Sequence, residues 1–224
     1  MDLESDLKYA VVSLPGERSG AAREQPSESP WLRHSACAFL GLRPAMAQHT
    51  AAEHAVFRKW AEGCKCVVEI GVAEGVSALA LREGMAEDGT LYLIDPFHLS
   101  RIPALNFIKR VAQRTVGGSA RGGVVWIEKF SQDAVKGWKE AIDLILIDGD
   151  HAEAAVEHDW QDWSRFVKPG GVVIFHDARV FSGGWATADY GPVRFVDRFF
   201  RSGAGTDWTI VEEIHSVFAV QRRA

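Results

Sequence analysis

The chain has 224 residues, with 25 basic against 30 acidic side chains and a formal net charge of −5 at pH 7. That length suits one α/β domain with an N-terminal extension, able to bury on the order of 70% of its unfolded surface. The acidic balance gives no electrostatic ground for a nucleic-acid or membrane partner, and no apolar run approaches the roughly 20 residues that span a bilayer. The opening Met1-Asp-Leu-Glu-Ser-Asp lacks the basic and apolar regions of a signal peptide, and the 3 cysteines cannot all pair. Both point to a cytoplasmic protein with reduced, structural cysteines.

Near the start, Tyr9-Ala-Val-Val-Ser-Leu14 is a small apolar patch suited to an added strand or to an oligomer arm, which makes a homodimer one expectation. Residues 15–30, rich in Pro, Gly and Ser, read as a linker. Trp31 to Leu42 suits a short helix, so residues 1–47 form an arm ahead of the domain at 48–224. Thr50 is an N-cap for a helix with Val56, Phe57 and Trp60 on one face. That helix leads into Cys66-Val-Val-Glu-Ile-Gly-Val-Ala-Glu-Gly75, a buried strand, a tight turn and the start of another helix. Gly71 and Gly75 let the backbone approach a ligand at the strand's carboxyl end. Glu69 is costly inside an apolar strand unless it meets a cation or donors. A dinucleotide fingerprint would need glycine at 71, 73 and 76, where the chain has Gly71, Ala73 and Val76. A ligand with an aminoacyl ammonium suits the carboxylate better, and S-adenosylmethionine (SAM) carries one.

Glu69-x-Gly71-x-x-x-Gly75 after a strand resembles the first motif of the class I SAM-dependent methyltransferases; a plain glycine turn is the alternative. The second strand, Leu91 to Ile94, ends in Asp95, placed to accept hydrogen bonds from a ribose diol or to serve as a turn aspartate. A helix is expected at 104–116 and a third strand at Val124 to Ile127. Phe130-Ser-Gln-Asp-Ala134 then resembles the adenine-contact turn of catechol-type O-methyltransferases, with Ser131 and Gln132 at the base edge; Ser131 as an N-cap is the alternative. Ile142 to Asp148 is a strong fourth strand, followed by Gly-Asp-His151 and a helix with Val156, Trp160, Trp163 and Val167 on its buried face. Lys168-Pro-Gly-Gly171 stops that helix before the fifth strand, Val172 to Phe175, and His176-Asp177. This "IDGDH … KPGG … HD" block is similar to the bacterial branch that methylates sugars and natural-product hydroxyls. A glycine-rich loop at 179–192 suits an active-site wall in which Trp185 and Tyr190 stack on substrate or pack the loop down. A helix at Val193 to Phe200 and a hairpin of Trp208 to Val211 with Ser216 to Val220 close the chain.

The resemblance implies a Rossmann-like, doubly wound seven-stranded α/β sheet, mostly parallel with one antiparallel strand and helices on both faces. Asp148, Asp150, His151, His176 and Asp177 fall at the ends of strands four and five, a natural seat for a hard cation such as Mg²⁺. Metal-dependent relatives have ligands at positions matching Asp148, His176 and Asp177, usually with an acid in place of His176; imidazole there tolerates softer metals such as Mn²⁺. Without metal, the same residues would cap helices and satisfy one another. His151 is the expected base, with Asp150 the alternative. The expected activity is methyl transfer from SAM to a hydroxyl of a small molecule, a saccharide among the candidates. The cofactor contacts implied are Glu69, Gly71, Gly75, Asp95, Ser131, Gln132 and Asp148. A metal-independent N-methyltransferase and a non-catalytic SAM-binding module are the rivals.

Overall fold

The computed structural model describes residues 28–97, 106–203 and 205–224. The Tyr9 to Leu14 patch, most of the 15–30 segment and the first residues of the helix expected at 104–116 lie outside them. A first helix, α1 (Glu28–Phe39), is followed by α2 (Ala51–Ala61). Thr50 caps α2 as expected: its side chain accepts from the Glu53 N–H while the Glu53 carboxylate accepts from the Thr50 N–H. The β1 strand (Cys66–Ile70) then runs through the glycine turn into α3 (Val76–Gly84). Next come β2 (Thr90–Ile94), α4 (Phe107–Val116), β3 (Gly123–Ile127) and the single turn α5 (Ser131–Ala134). Strand β4 (Ile142–Ile147) leads to α6 (Glu153–Trp163), β5 (Val167–Phe175), α7 (Gly191–Val196), β6 (Trp208–Ile214) and β7 (Val217–Arg222).

The strands form one 7-stranded sheet in the order β3-β2-β1-β4-β5-β7-β6. The first five are mutually parallel, and β7 runs antiparallel to both β5 and β6. The side chains of central strands alternate between two apolar layers, which is why these strands read as continuous apolar runs. Val67, Leu91, Leu144 and Ile174 face α2, α3 and α4, whereas Val68, Ile145, Val173 and Phe175 face Trp160, Trp163 and Phe195 of α6 and α7. The two tryptophans of α6 are thus core residues. After β3 the chain crosses back to place β4 beside β1. The crevice of this doubly wound sheet therefore opens where β1 and β4 end.

Two local expectations change. Lys168-Pro-Gly-Gly171 lies inside β5, which starts at Val167 and pairs irregularly with β4, so Val167 is a strand residue and not part of the helix face. Helix α6 begins only at Glu153, which leaves Asp150 and His151 in the preceding loop, where Asp150 Oδ1 accepts from the Ala152 N–H at 2.9 Å. Among the described residues, no helix is long and apolar enough to cross a membrane.

Candidate active site

A cleft of about 520 Å³ opens at the carboxyl ends of β1, β2 and β4. Its floor is the turn after β1. Gly71 has φ +84°, and a Cβ there would lie 2.0 Å from the Asp148 carbonyl oxygen, so glycine lets β1 and β4 end side by side. Gly75 continues the turn at φ +79° into α3. Asp95 stands across from it: Oδ2 accepts from the N–H groups of Val72 and Ala73 at 2.9 and 3.2 Å, and Oδ1 from the Phe97 N–H at 2.7 Å. These bonds fix both carboxylate oxygens at the rim while leaving further lone pairs to accept from a diol.

Gly71, Gly75, Asp95, Ser131, Gln132, Asp148, Asp150 and His151 all line this cleft. Glu69 does not. It is 0% exposed, with Oε1 accepting from the Ser77 hydroxyl at 2.5 Å and Oε2 lacking a hydrogen-bond partner among the described residues. Burial pushes its carboxyl well above the usual carboxylate range. Ser77, which does line the cleft, stands between the two. Ser131 is not the N-cap of α5, a position held by Phe130; its hydroxyl instead donates to Asp159 Oδ1.

Behind the cleft runs a chain of alternating acids and imidazoles. His151 Nε2 lies 3.5 Å from Asp148 Oδ1 and 3.6 Å from Asp177 Oδ2. His176 Nδ1 lies 3.2 and 3.3 Å from the same two oxygens, and its Nε2 is 3.9 Å from Glu53 Oε2. His176 and Asp177 are each 2% exposed and form a layer beneath the lining residues. Burial alone would lower the His176 pKa, but Asp148 and Asp177 outweigh it and hold the imidazole well above its usual value. The same carboxylates raise His151 against its burial. Burial would raise Asp148, yet the two imidazoles keep it well below the usual range. Asp148, His151 and Asp177 each offer a ligand atom within 4.8 Å of the others. His176, expected as the third donor, contacts both carboxylates from the core side. His151 Nε2, His176 Nε2 and Asp177 Oδ1 are buried without a hydrogen-bond partner among the described residues. Such clustered orphans fit a bound cation or substrate.

The loop after β5 packs onto this cluster. Trp185 and Tyr190 place their ring centres 5.7 and 5.2 Å from that of His151 and 4.8 Å from each other, so both serve to hold the imidazole. Asp177 opens this loop with φ 51°, a left-handed conformation uncommon outside glycine and asparagine.

Three contributors were missed in the sequence. Glu53 was legible only as the third residue after a Thr cap. Asp159 lies three residues after Val156, on the buried stripe of α6, where a carboxylate is out of place. Glu74 sits inside the glycine turn but turns away from it: Oε1 accepts from the Ser35 hydroxyl and Oε2 from the Met46 N–H, each at 2.6 Å.

Residues 68–178, about half of the chain, match a family model described as a methyltransferase domain. A Mycobacterium sp. (strain JLS) protein, provisionally named an O-methyltransferase, is 36% identical over 120 residues, which are 51% of this chain and 49% of that protein. The chain thus spans about half the length of the curated relatives it matches. The fold is like that of the Bacillus cereus O-methyltransferase solved with S-adenosylhomocysteine (TM-score 0.58, 19% identity, 89% of this chain and 92% of that one). It is equally like TomG of Streptomyces achromogenes, solved with SAM (TM-score 0.58, 17% identity, 91% and 92% covered). The matched segment runs from β1 to the residue after His176-Asp177 and so contains the whole floor of the cleft; by that match and this strand order, the chain belongs to the class I SAM-dependent methyltransferases.

Proposed function

We propose that the protein transfers the methyl group of SAM to a hydroxyl of a small molecule. The observation that carries this reading is the meeting, in one cleft, of the β1 turn and Asp95 with Asp148 and His151. The residues fit SAM: the Ser77 hydroxyl, its proton held by Glu69 behind it, lines the cleft with lone pairs left for an aminoacyl ammonium, and Asp95 lines it with lone pairs left for a ribose diol. The mycobacterial relative's name and the structures solved with SAM or S-adenosylhomocysteine support the reaction class.

SAM supplies an electrophilic methyl on a sulfonium. The chain's own part is to align the acceptor oxygen with that methyl, exclude water and take the proton as the O–C bond forms and the C–S bond breaks. His151 is the base: with Nε2 directed at Asp148 and Asp177, Nδ1 is left to accept the hydroxyl proton. Asp148 and Asp177 then stabilise the imidazolium, while His176 helps keep Asp148 ionised from the core side. The rate therefore rises with pH as His151 loses its proton, above the ordinary imidazole value because the carboxylates raise it.

A second reading rests on the mutual distances of Asp148, His151 and Asp177. Mg²⁺ or Mn²⁺ held there would acidify the bound hydroxyl, and the imidazole in the donor set suits the softer ion. His151 would then be a ligand and Asp150, in the cleft beside it, the base. A hydroxyl acceptor such as a phenol or saccharide suits either reading. The three free thiols, two of them held unreactive by burial, suit a cytoplasmic setting.

Formation of S-adenosylhomocysteine, measured with and without EDTA across a panel of phenols and saccharides, separates these readings. With His151 as base, His151→Ala lowers turnover by roughly 100-fold or more at unchanged SAM affinity, and EDTA has no effect. Loss of activity in EDTA together with an inactive Asp150→Ala moves the base to Asp150. A chain that fails to bind SAM overturns the proposal as a whole.

A further inference from the structure

The face of α6 that meets α5 holds a carboxylate the reaction does not use. Asp159 is 7% exposed and borders the cleft beside His158 and Ser131. The Ser131 hydroxyl spends its proton on Asp159 Oδ1, and no hydrogen bond among the described residues engages Oδ2. An ideal Cβ built on Gly149 would lie 3.5 Å from that oxygen, so Oδ2 sits against the backbone just after Asp148, which glycine leaves open. Ile94, Pro96 and Phe130 line the same cleft and give it apolar walls. Flat walls with a polar edge suit a heteroaromatic ring, and adenine is the only such ring in SAM.

The donor count sets the polarity of that edge. With its proton committed to Asp159, Ser131 offers only lone pairs to a ligand, and an ionised carboxylate offers nothing else. The Ser131–Asp159 pair is therefore an acceptor surface and calls for a donor on the ligand. On adenine's exposed edge the 6-amino group is the donor, flanked by ring nitrogens that accept. Burial pushes the Asp159 carboxyl up to about 6, which leaves it ionised in mildly alkaline solution.

We propose that Asp159, positioned by Ser131, reads the 6-amino group of the cofactor's adenine and so selects an adenosyl ligand over other nucleosides. This rests on the SAM reading above. It also alters the expectation for Ser131, whose hydroxyl anchors the reading group and has no proton left for the base.

The test is calorimetric titration of the full chain at pH 8 with S-adenosylhomocysteine and with its analogue in which hydrogen replaces the 6-amino group. Losing a hydrogen bond to a charged acceptor is expected to weaken binding of the analogue by roughly ten-fold or more in the wild type. Asp159→Ala, and Asp159→Leu, which fills the space without an acceptor, are expected to bind the two ligands within about two-fold of each other. Either variant suffices if the other does not fold. A wild type that binds both ligands equally, or a variant that keeps the full preference, overturns the assignment to Asp159 and leaves the SAM reading standing. A wild type that binds neither ligand overturns both.

Discussion

At Glu53, one carboxylate ties three parts of the molecule together. Oε2 accepts from the Thr50 N–H at 2.7 Å, and Oε1 accepts from the Ser216 N–H and hydroxyl at 2.8 and 2.5 Å. His176 approaches from the site side. Burial opposes ionisation here, but His176 and Ser216 outweigh it and hold the carboxyl at about 2 in place of the usual 4.5. The folded-state value is depressed, so the stabilisation is present above about 4.5 and is lost as the pH falls toward 2. Glu53→Gln is expected to cost on the order of 3 kcal/mol near pH 7. The gap between wild type and variant should close as denaturant melts are taken down in pH. A gap of constant size would show that packing, and not the charge, is what the residue contributes.

At the level of elements, His151, the proposed base, is placed by the contact between two loops. Gly191 opens α7, and a Cβ there would come within 2.2 Å of the His151 carbonyl oxygen and 2.4 Å of the Glu153 N. Both are backbone atoms, so relief must come from moving the loop between β4 and α6. The return of the 178–190 loop thus presses Trp185 and Tyr190 onto His151 beside a point where a side chain cannot fit. Gly191→Ala is expected to cost about 1–3 kcal/mol through overpacking. It should also lower turnover by roughly ten-fold, because the base moves relative to the acceptor. SAM affinity, measured by calorimetry, should stay within about two-fold, since the strain falls on the loop after β4 and not on the β1 turn or Asp95; equal losses in both would show a general loosening of the domain.

Across the whole molecule, the segment ahead of α2 is joined to the turn after β1. Helix α1 packs on α4, with Phe39 and Phe107 ring centres 5.4 Å apart, and Met46 and His49 reach the cleft. Glu74, 1% exposed in the turn itself, holds this segment through Ser35 and Met46. Removing the charge with Glu74→Gln should release it. Hydrogen exchange should then quicken across residues 34–47, with SAM affinity falling by roughly five-fold or more as that wall of the cleft loosens. Unchanged exchange would mean that α1 is held by its apolar contacts with α4 alone.

The individual strands and the glycine turn at the cleft floor were legible because they depend on local pattern, whereas the order of the strands in the sheet depends on long-range pairing. Short apolar runs ending in glycine or aspartate read as buried parallel strands, and Glu69, Asp95, Asp148 and Asp177 each mark a strand's carboxyl end. Helix α2 was legible for the same reason, since a Thr cap and a 3.6-residue apolar period need no distant partner. What pattern alone could not decide was which side each acid faces and which group it meets. Glu53, Glu74 and Asp159 carry nothing in the sequence that names their partners, and each is buried against groups 28 to 163 residues away. Likewise the sequence assigns His151 the role of base and His176 that of a ligand, but their burial could not be read from two imidazoles near strand-end aspartates. Only the packing of β5 beneath the cleft and of the 178–190 loop over it separates the histidine that borders the cleft from the one that supplies charge from within the core. The strands follow from side chains repeating at short range, whereas the site's chemistry depends on desolvation and charge pairing across the sheet.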